Sequence, residues 1–184
     1  MFYKVTQKDS IAEQLLPMSE LNEHLRVDDV TQEEIISVYR DAAIDFAEQF
    51  MNRALGLQTI IATFEQWKPR AYLPLGNIQE IDVVTALDEQ GDEVVLDERD
   101  YRFNAVSNMI IIDRHFDKHT EFMITYQVGN QVEDIPKAIK LGIMKLVSTW
   151  YENREDISNG VSVAEIPFNH KACFNLYRIP PAGE

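Results

Sequence analysis

Between Gln58 and Gly129 the chain carries short apolar runs, several of period two, separated by turn residues and by connections too short to hold a crossover helix. That spacing forces antiparallel pairing and excludes a doubly wound nucleotide-binding fold. "IDVVTALDEQGDEVVL" reads as two strands joined by a polar turn at Gly91, with Ile81, Val83, Thr85 and Leu87 on one face. "NMIIID" and "EFMITYQVG" read as a further pair, in which Phe122, Ile124, Tyr126 and Val128 share a face. Neither G-x-G-x-x-G nor G-x-x-x-x-G-K-[ST] occurs, so a phosphate cradle has no local support.

Helical spacing flanks this block on both sides. Thr31 followed by Glu34 is a capping-box pattern, and it predicts a helix from about Gln32 to Leu55, closed by Gly56. Its apolar stripe is expected at Ile35, Tyr39, Ala42, Ala43, Phe46 and Phe50, with Asp41, Asp45 and Glu48 opposite. Pro136 suits the first turn of a second long helix. There Ile139, Ile143, Met144, Leu146, Val147, Trp150 and Tyr151 cover roughly 160° of the helix surface, enough for neighbours on more than one side. Shorter helices are expected after Ser19 and around His170 to Leu176, and residues 1–18 read as an arm or a short strand. The expected fold class is therefore α+β, with a mainly α-helical core from long helices at about 31–55 and 136–154. An antiparallel β elaboration occupies about 58–128. One domain is expected over 1–184, with residues 1–18 as N-terminal arm and 161–184 as C-terminal tail.

Charge narrows the function. A net charge of −14 argues against a protein that grips nucleic acid by neutralising phosphates. No stretch has the length and apolarity of a membrane span, and the first residues lack the apolar core of a signal peptide, so the chain reads as cytoplasmic. Cys173 is the single cysteine, and no G-x-S-x-G elbow accompanies it. "DRHFDKH" places Asp113, His115, Asp117 and His119 at alternate positions, where a small metal-dependent enzyme would find ligands, yet no H-E-x-x-H core supports that use. The reading is non-enzymatic, with no catalytic residue, no metal and no cofactor. Trp67 is either a surface anchor or a packing residue.

The stretch "STWYENREDISNG" runs an apolar helix into a polar end. Asn153 and Arg154 project close to the apolar stripe, and a guanidinium there is costly to bury without a carboxylate partner. Trp150, Tyr151, Glu152, Asn153, Arg154 and Glu155 are accordingly expected to form a structural network that ties this helix end to another element or another subunit.

"IPKAIKLGIMKLVSTWYENRE" closely resembles the signature helix of the phage head–tail connector family, the DNA-packaging or head-completion adaptors of tailed phages. "LNEHLRVD", "LPLGNIQEI", "ITYQVG", "IPF" and "NLYR" are similar to further family elements and follow in the same order, from about Leu21 to Arg178. The resemblance implies a homo-oligomeric ring beneath the portal of a phage or prophage particle, extending the DNA channel and receiving the stopper or tail-completion protein. It implies that DNA passes without specific binding, that the subunit resides in the virion after assembly in the host cytoplasm, and that Phe168, Leu176, Tyr177 and Arg178 contact the portal. A stopper or tail-completion protein is the neighbouring alternative.

Overall fold

A computed structural model describes residues 1–87, 91–116, 120–153 and 169–179. The chain divides into two units. One comprises Met1–Asp9 and Asn52–Gln131 with Ile179, and the other is built from Ser10–Met51 and Val132–Arg178.

The first unit is built from β-strands, with one turn of 3-10 helix at Glu98–Asp100. Its strands are β1 (Phe2–Lys8), β2 (Gln58–Phe64), β3 (Arg70–Tyr72), β4 (Ile78–Leu87), β5 (Glu93–Val95), β6 (Tyr101–Asn104), β7 (Met109–Ile112) and β8 (Phe122–Val128). They form a five-stranded antiparallel sheet in the order β1-β2-β8-β4-β5 and a three-stranded sheet in the order β3-β7-β6. β2 and β8 bury every second residue, Ile60, Ala62 and Phe64 against Phe122, Ile124, Tyr126 and Val128. Phe64 and Phe122 stack at 4.5 Å, and Trp67 meets Phe116 at 4.8 Å and Phe122 at 5.6 Å, so Trp67 is a packing residue. Burial raises the Tyr126 phenol well above its usual range, and its hydroxyl donates to the Pro74 carbonyl at 3.1 Å.

This β-rich architecture overturns the expectation of a mainly helical core with a β elaboration. Among the described residues eight strands in two antiparallel sheets stand beside five helices, and a large apolar cluster lies on the sheets. The physical reason is that each helix offers one buried stripe, whereas the alternating runs fill a continuous layer with β-branched and aromatic side chains. β7 and β8 do not pair as expected. β8 lies between β2 and β4, and β7 joins β3 and β6. The predicted alternation in β4 is also broken, because register shifts at Ile78/Glu80 and Ile81/Val83 leave Val84, Thr85 and Ala86 buried in succession.

The second unit holds α1 (Ala12–Leu15), α2 (Met18–Leu25), α3 (Glu33–Met51), α4 (Lys137–Glu152) and α5 (His170–Asn175). α3 starts later than expected because Asp29 captures Thr31, accepting from its backbone N–H at 2.9 Å and its hydroxyl at 2.7 Å. α3 stops at Met51, ahead of Gly56, where Asn52 turns left-handed at φ 51°. Its buried stripe is Ile36, Arg40, Ala43, Ile44, Ala47, Glu48 and Met51, rotated by one residue from the expected Ile35, Tyr39, Ala42 series. Two charged residues therefore lie on the buried side. Arg40 reaches Glu13 of α1 at 2.6 Å, the Leu16 carbonyl at 3.3 Å and Asp41 at 3.2 Å. α4 buries Ile139, Gly142, Ile143, Leu146 and Val147.

Candidate functional site

The sequence puts aromatic rings four residues apart on two helices, Phe46 and Phe50 on α3 and His170 and Phe174 on α5, so each pair faces one way. These rings converge with Trp150 of α4. Phe46 lies 6.0 Å from Phe50, 6.3 Å edge-on from Trp150, 5.8 Å from His170 and 6.5 Å from Phe174. Phe50 is 6.1 Å from Phe174, and the Arg178 guanidinium sits 5.3 Å above the Phe50 ring. Asn169 caps α5 by accepting from the Lys171 N–H at 2.9 Å. Burial, assisted by the charge of Lys171, holds the His170 imidazole below its ordinary pKa and favours the neutral ring. Gly142 permits the close approach of α4 and α5, since a Cβ there would stand 2.5 Å from the Phe174 ring and 3.0 Å from Cys173.

Polar contacts fix the remaining elements. Lys140 on α4 bonds Glu20 on α2 at 2.6 Å, and the Tyr151 hydroxyl donates to Gln32 at 2.5 Å. Arg40 and then the Met18 N–H hold the Glu13 carboxyl below its ordinary pKa.

Of the expected network, Trp150 is half-buried on Phe46, Tyr151 joins Gln32, and Glu152 is exposed. Asn153 is exposed and folds back on the Thr149 carbonyl through its amide at 2.9 Å and its backbone N–H at 3.0 Å. Arg154 and Glu155 lie outside the described residues, as does Phe168. Leu176 is 74% exposed, Tyr177 is half-buried, and Arg178 covers Phe50. The ring cluster was missed by the sequence reading, although the two i, i+4 aromatic pairs were its signal.

In "DRHFDKH", Asp113 accepts a two-pronged ion pair from Arg102 at 2.9 and 3.0 Å, and His115 is exposed. Asp117 and His119 lie outside the described residues, and among those described no three His, Cys, Asp or Glu converge.

Two other segments that carry the resemblance meet in the β unit. Leu75, Gly76 and Asn77 of "LPLGN" all have positive φ, and the Asn77 amide donates to the Gly129 carbonyl at 2.8 Å and to the Asn130 side chain. Gly129 of "ITYQVG", at φ 107°, donates to the Asn77 carbonyl at 3.2 Å. A Cβ on Gly129 would stand 1.9 Å from the Gly56 carbonyl oxygen, so this position requires glycine.

No protein-family profile and no curated protein matches the chain. Solved structures do. The chain is similar to one in the neck of an empty gene transfer agent (GTA) particle computed with C6 symmetry, at TM-score 0.76 and 18% identity over 97% of this chain and 95% of that one. It is similar to a chain in the virion of a native gene transfer agent particle, at TM-score 0.75 and 18% identity over the same shares of the two chains. A third likeness is to a chain in the neck of a native GTA particle computed with C12 symmetry, at TM-score 0.71 and 18% identity over 95% and 94%. At this identity the likenesses establish a shared fold across nearly the whole chain.

Proposed function

We propose that the protein is a non-enzymatic head–tail connector subunit of a phage or phage-like particle. It assembles as a homo-oligomeric ring under the portal, extends the DNA channel and receives the next neck protein. The observation that carries this reading is the whole-length likeness to chains from particle necks and a virion. The resemblance of the sequence segment Ile135–Glu155 to the connector signature supports it independently. In this reading all 184 residues act as one connector domain that resides in the virion and assembles in the host cytoplasm.

Charge agrees with a conduit. Residues 10–51 hold ten Asp and Glu against Arg26 and Arg40, a composition that lets DNA pass without adhering. The Trp150–Glu155 segment serves as the network that keeps the helix end in shape for assembly. Phe168, Leu176, Tyr177 and Arg178 are the proposed portal contacts, and Leu176, 74% exposed, is an apolar side chain open to a partner.

Incubation with portal-bearing, tailless capsids tests the reading. Saturable attachment at the portal vertex supports it. Attachment only to capsids that already carry a connector ring would instead make the chain a stopper or tail-completion protein.

A further inference from the structure

Among the described residues no further strand covers either edge of the five-stranded sheet, and its strand register makes the two edges complementary. β1 is exposed along its whole length and pairs with β2 alone among the described strands. One cross-strand row runs Phe2–Thr63–Met123–Thr85–Val95 through β1, β2, β8, β4 and β5. Its two ends are the exposed apolar side chains Phe2, at 66%, and Val95, at 63%. On the other face of the sheet Tyr3 and Val5 stand opposite Ala62 and Ile60 of the core, yet they remain 48% and 38% exposed. Among the described residues the core layer therefore continues onto β1 without a cover.

Charge selects the occupant. The β1 strand carries Lys4 and Lys8, with Asp9 just beyond it, whereas Asp92, Glu93 and Asp97 flank Val95 at the β5 edge, Asp97 being paired with Arg99 at 3.0 Å. A two-fold contact between β1 edges would oppose lysine to lysine, and one between β5 edges would oppose acid to acid. Edge lysines guard against non-specific strand pairing, and carboxylates on the incoming edge offset that guard where lysines would add to it. Four antiparallel steps separate β1 from β5, so both strands run in the same direction. A rotation that sets β5 of one copy beside β1 of the next thus prolongs the sheet with apolar ends in one row and opposite charges alongside. Such a contact is heterologous, and heterologous contacts close into rings when the rotation closes.

We infer that the β1 edge is the docking site for the β5 edge of a neighbouring copy, which makes the five-stranded sheet the ring-forming interface. This deepens the connector reading and rests on it.

The test mixes two singly labelled full-length proteins on a Cys173→Ser background, one carrying Lys4→Cys and the other Val95→Cys, and treats them with a short bismaleimide. Within one chain the two positions lie across four strand spacings, roughly 19 Å, so the linker reports only on contacts between copies. Circular dichroism checks that both variants fold, and negative-stain imaging of the wild type at the same concentration records whether rings are present. The expected result is a covalent dimer that forms on mixing and not with either variant alone. Dimers from Lys4→Cys alone would indicate a two-fold contact and overturn the inference. Wild-type rings without a mixed dimer would also overturn it while leaving the connector reading intact. Neither rings nor mixed dimers, in solution or on portal-bearing capsids, would count against both.

Discussion

Gly142 of α4 lies against the ring of Phe174 of α5, so closely that a single added Cβ would come within 2.5 Å of an aromatic carbon. Glycine inside a helix ordinarily costs up to about 1 kcal/mol relative to alanine. Here the missing side chain admits α5, which brings Phe174 and His170 onto Phe46.

Gly142→Ala is accordingly expected to destabilise the protein by about 1–3 kcal/mol despite the better helix former, because overpacking outweighs propensity. Urea denaturation measures it. Combining Gly142→Ala with Phe174→Leu should cost less than the sum of the two single changes, since the second relieves the clash of the first.

Arg40 carries a second expectation. Truncation to alanine removes packing and leaves the Leu16 carbonyl without its partner, at a cost of about 2–4 kcal/mol. Arg40→Met keeps the buried stem and discards the charge, so it should be milder than Arg40→Ala. Equal losses for the two would show that charge, not packing, makes Arg40 important.

These two sites also indicate what was legible in the sequence. The stripe of α4 could be read from Ile139, Ile143, Leu146 and Val147, because all four are apolar at helical spacing and all are buried. α3 was misread by one residue because Arg40 and Glu48 occupy its buried side. For Arg40 the partner is Glu13, 27 positions away, and no local period can reveal it. In the β unit the face of β8 followed from alternation at Phe122, Ile124, Tyr126 and Val128, but alternation does not say which strand is the neighbour, hence the mistaken β7–β8 pair. The bulges in β4 erased the period that would have placed its core residues. The Phe46, Phe50, His170 and Phe174 cluster joins helices more than a hundred residues apart in sequence, and only the fold brings them together.

His170 gives a pH dependence. Its folded-state pKa is lowered, so the unfolded chain takes up the proton first as pH falls. Stability is therefore full above the ordinary histidine value of about 6.5 and declines as pH falls from there through the lower folded-state pKa. Melting temperature should drop over this window in the wild type and drop less in His170→Gln. Parallel curves for the two proteins would contradict the assignment.

The Asn77–Gly129 contact separates two effects in the β unit. Asn77→Ala loses the bonds to Gly129 and Asn130 and puts an ordinary residue at φ 56°, for a combined cost of about 2–3 kcal/mol. Asn77→Gly loses only the bonds, so its unfolding midpoint should fall between those of the wild type and Asn77→Ala.

Leu176 tests the proposed portal contact apart from stability. Leu176→Asp alters a side chain that is mostly in solvent and should leave the melting temperature within about 1 °C, since surface changes are usually small. Attachment to portal-bearing capsids should fall at least tenfold. Unchanged attachment would remove Leu176 from the contact.

The most direct test of the connector reading is absolute mass by light scattering across a wide concentration range, with negative-stain imaging of the heaviest fraction and of portal-bearing capsids incubated with the protein. The expected result is closed rings with a central channel, free in solution or seated at the portal vertex. A protein that stays monomeric at every concentration and leaves the portal vertex bare would contradict it.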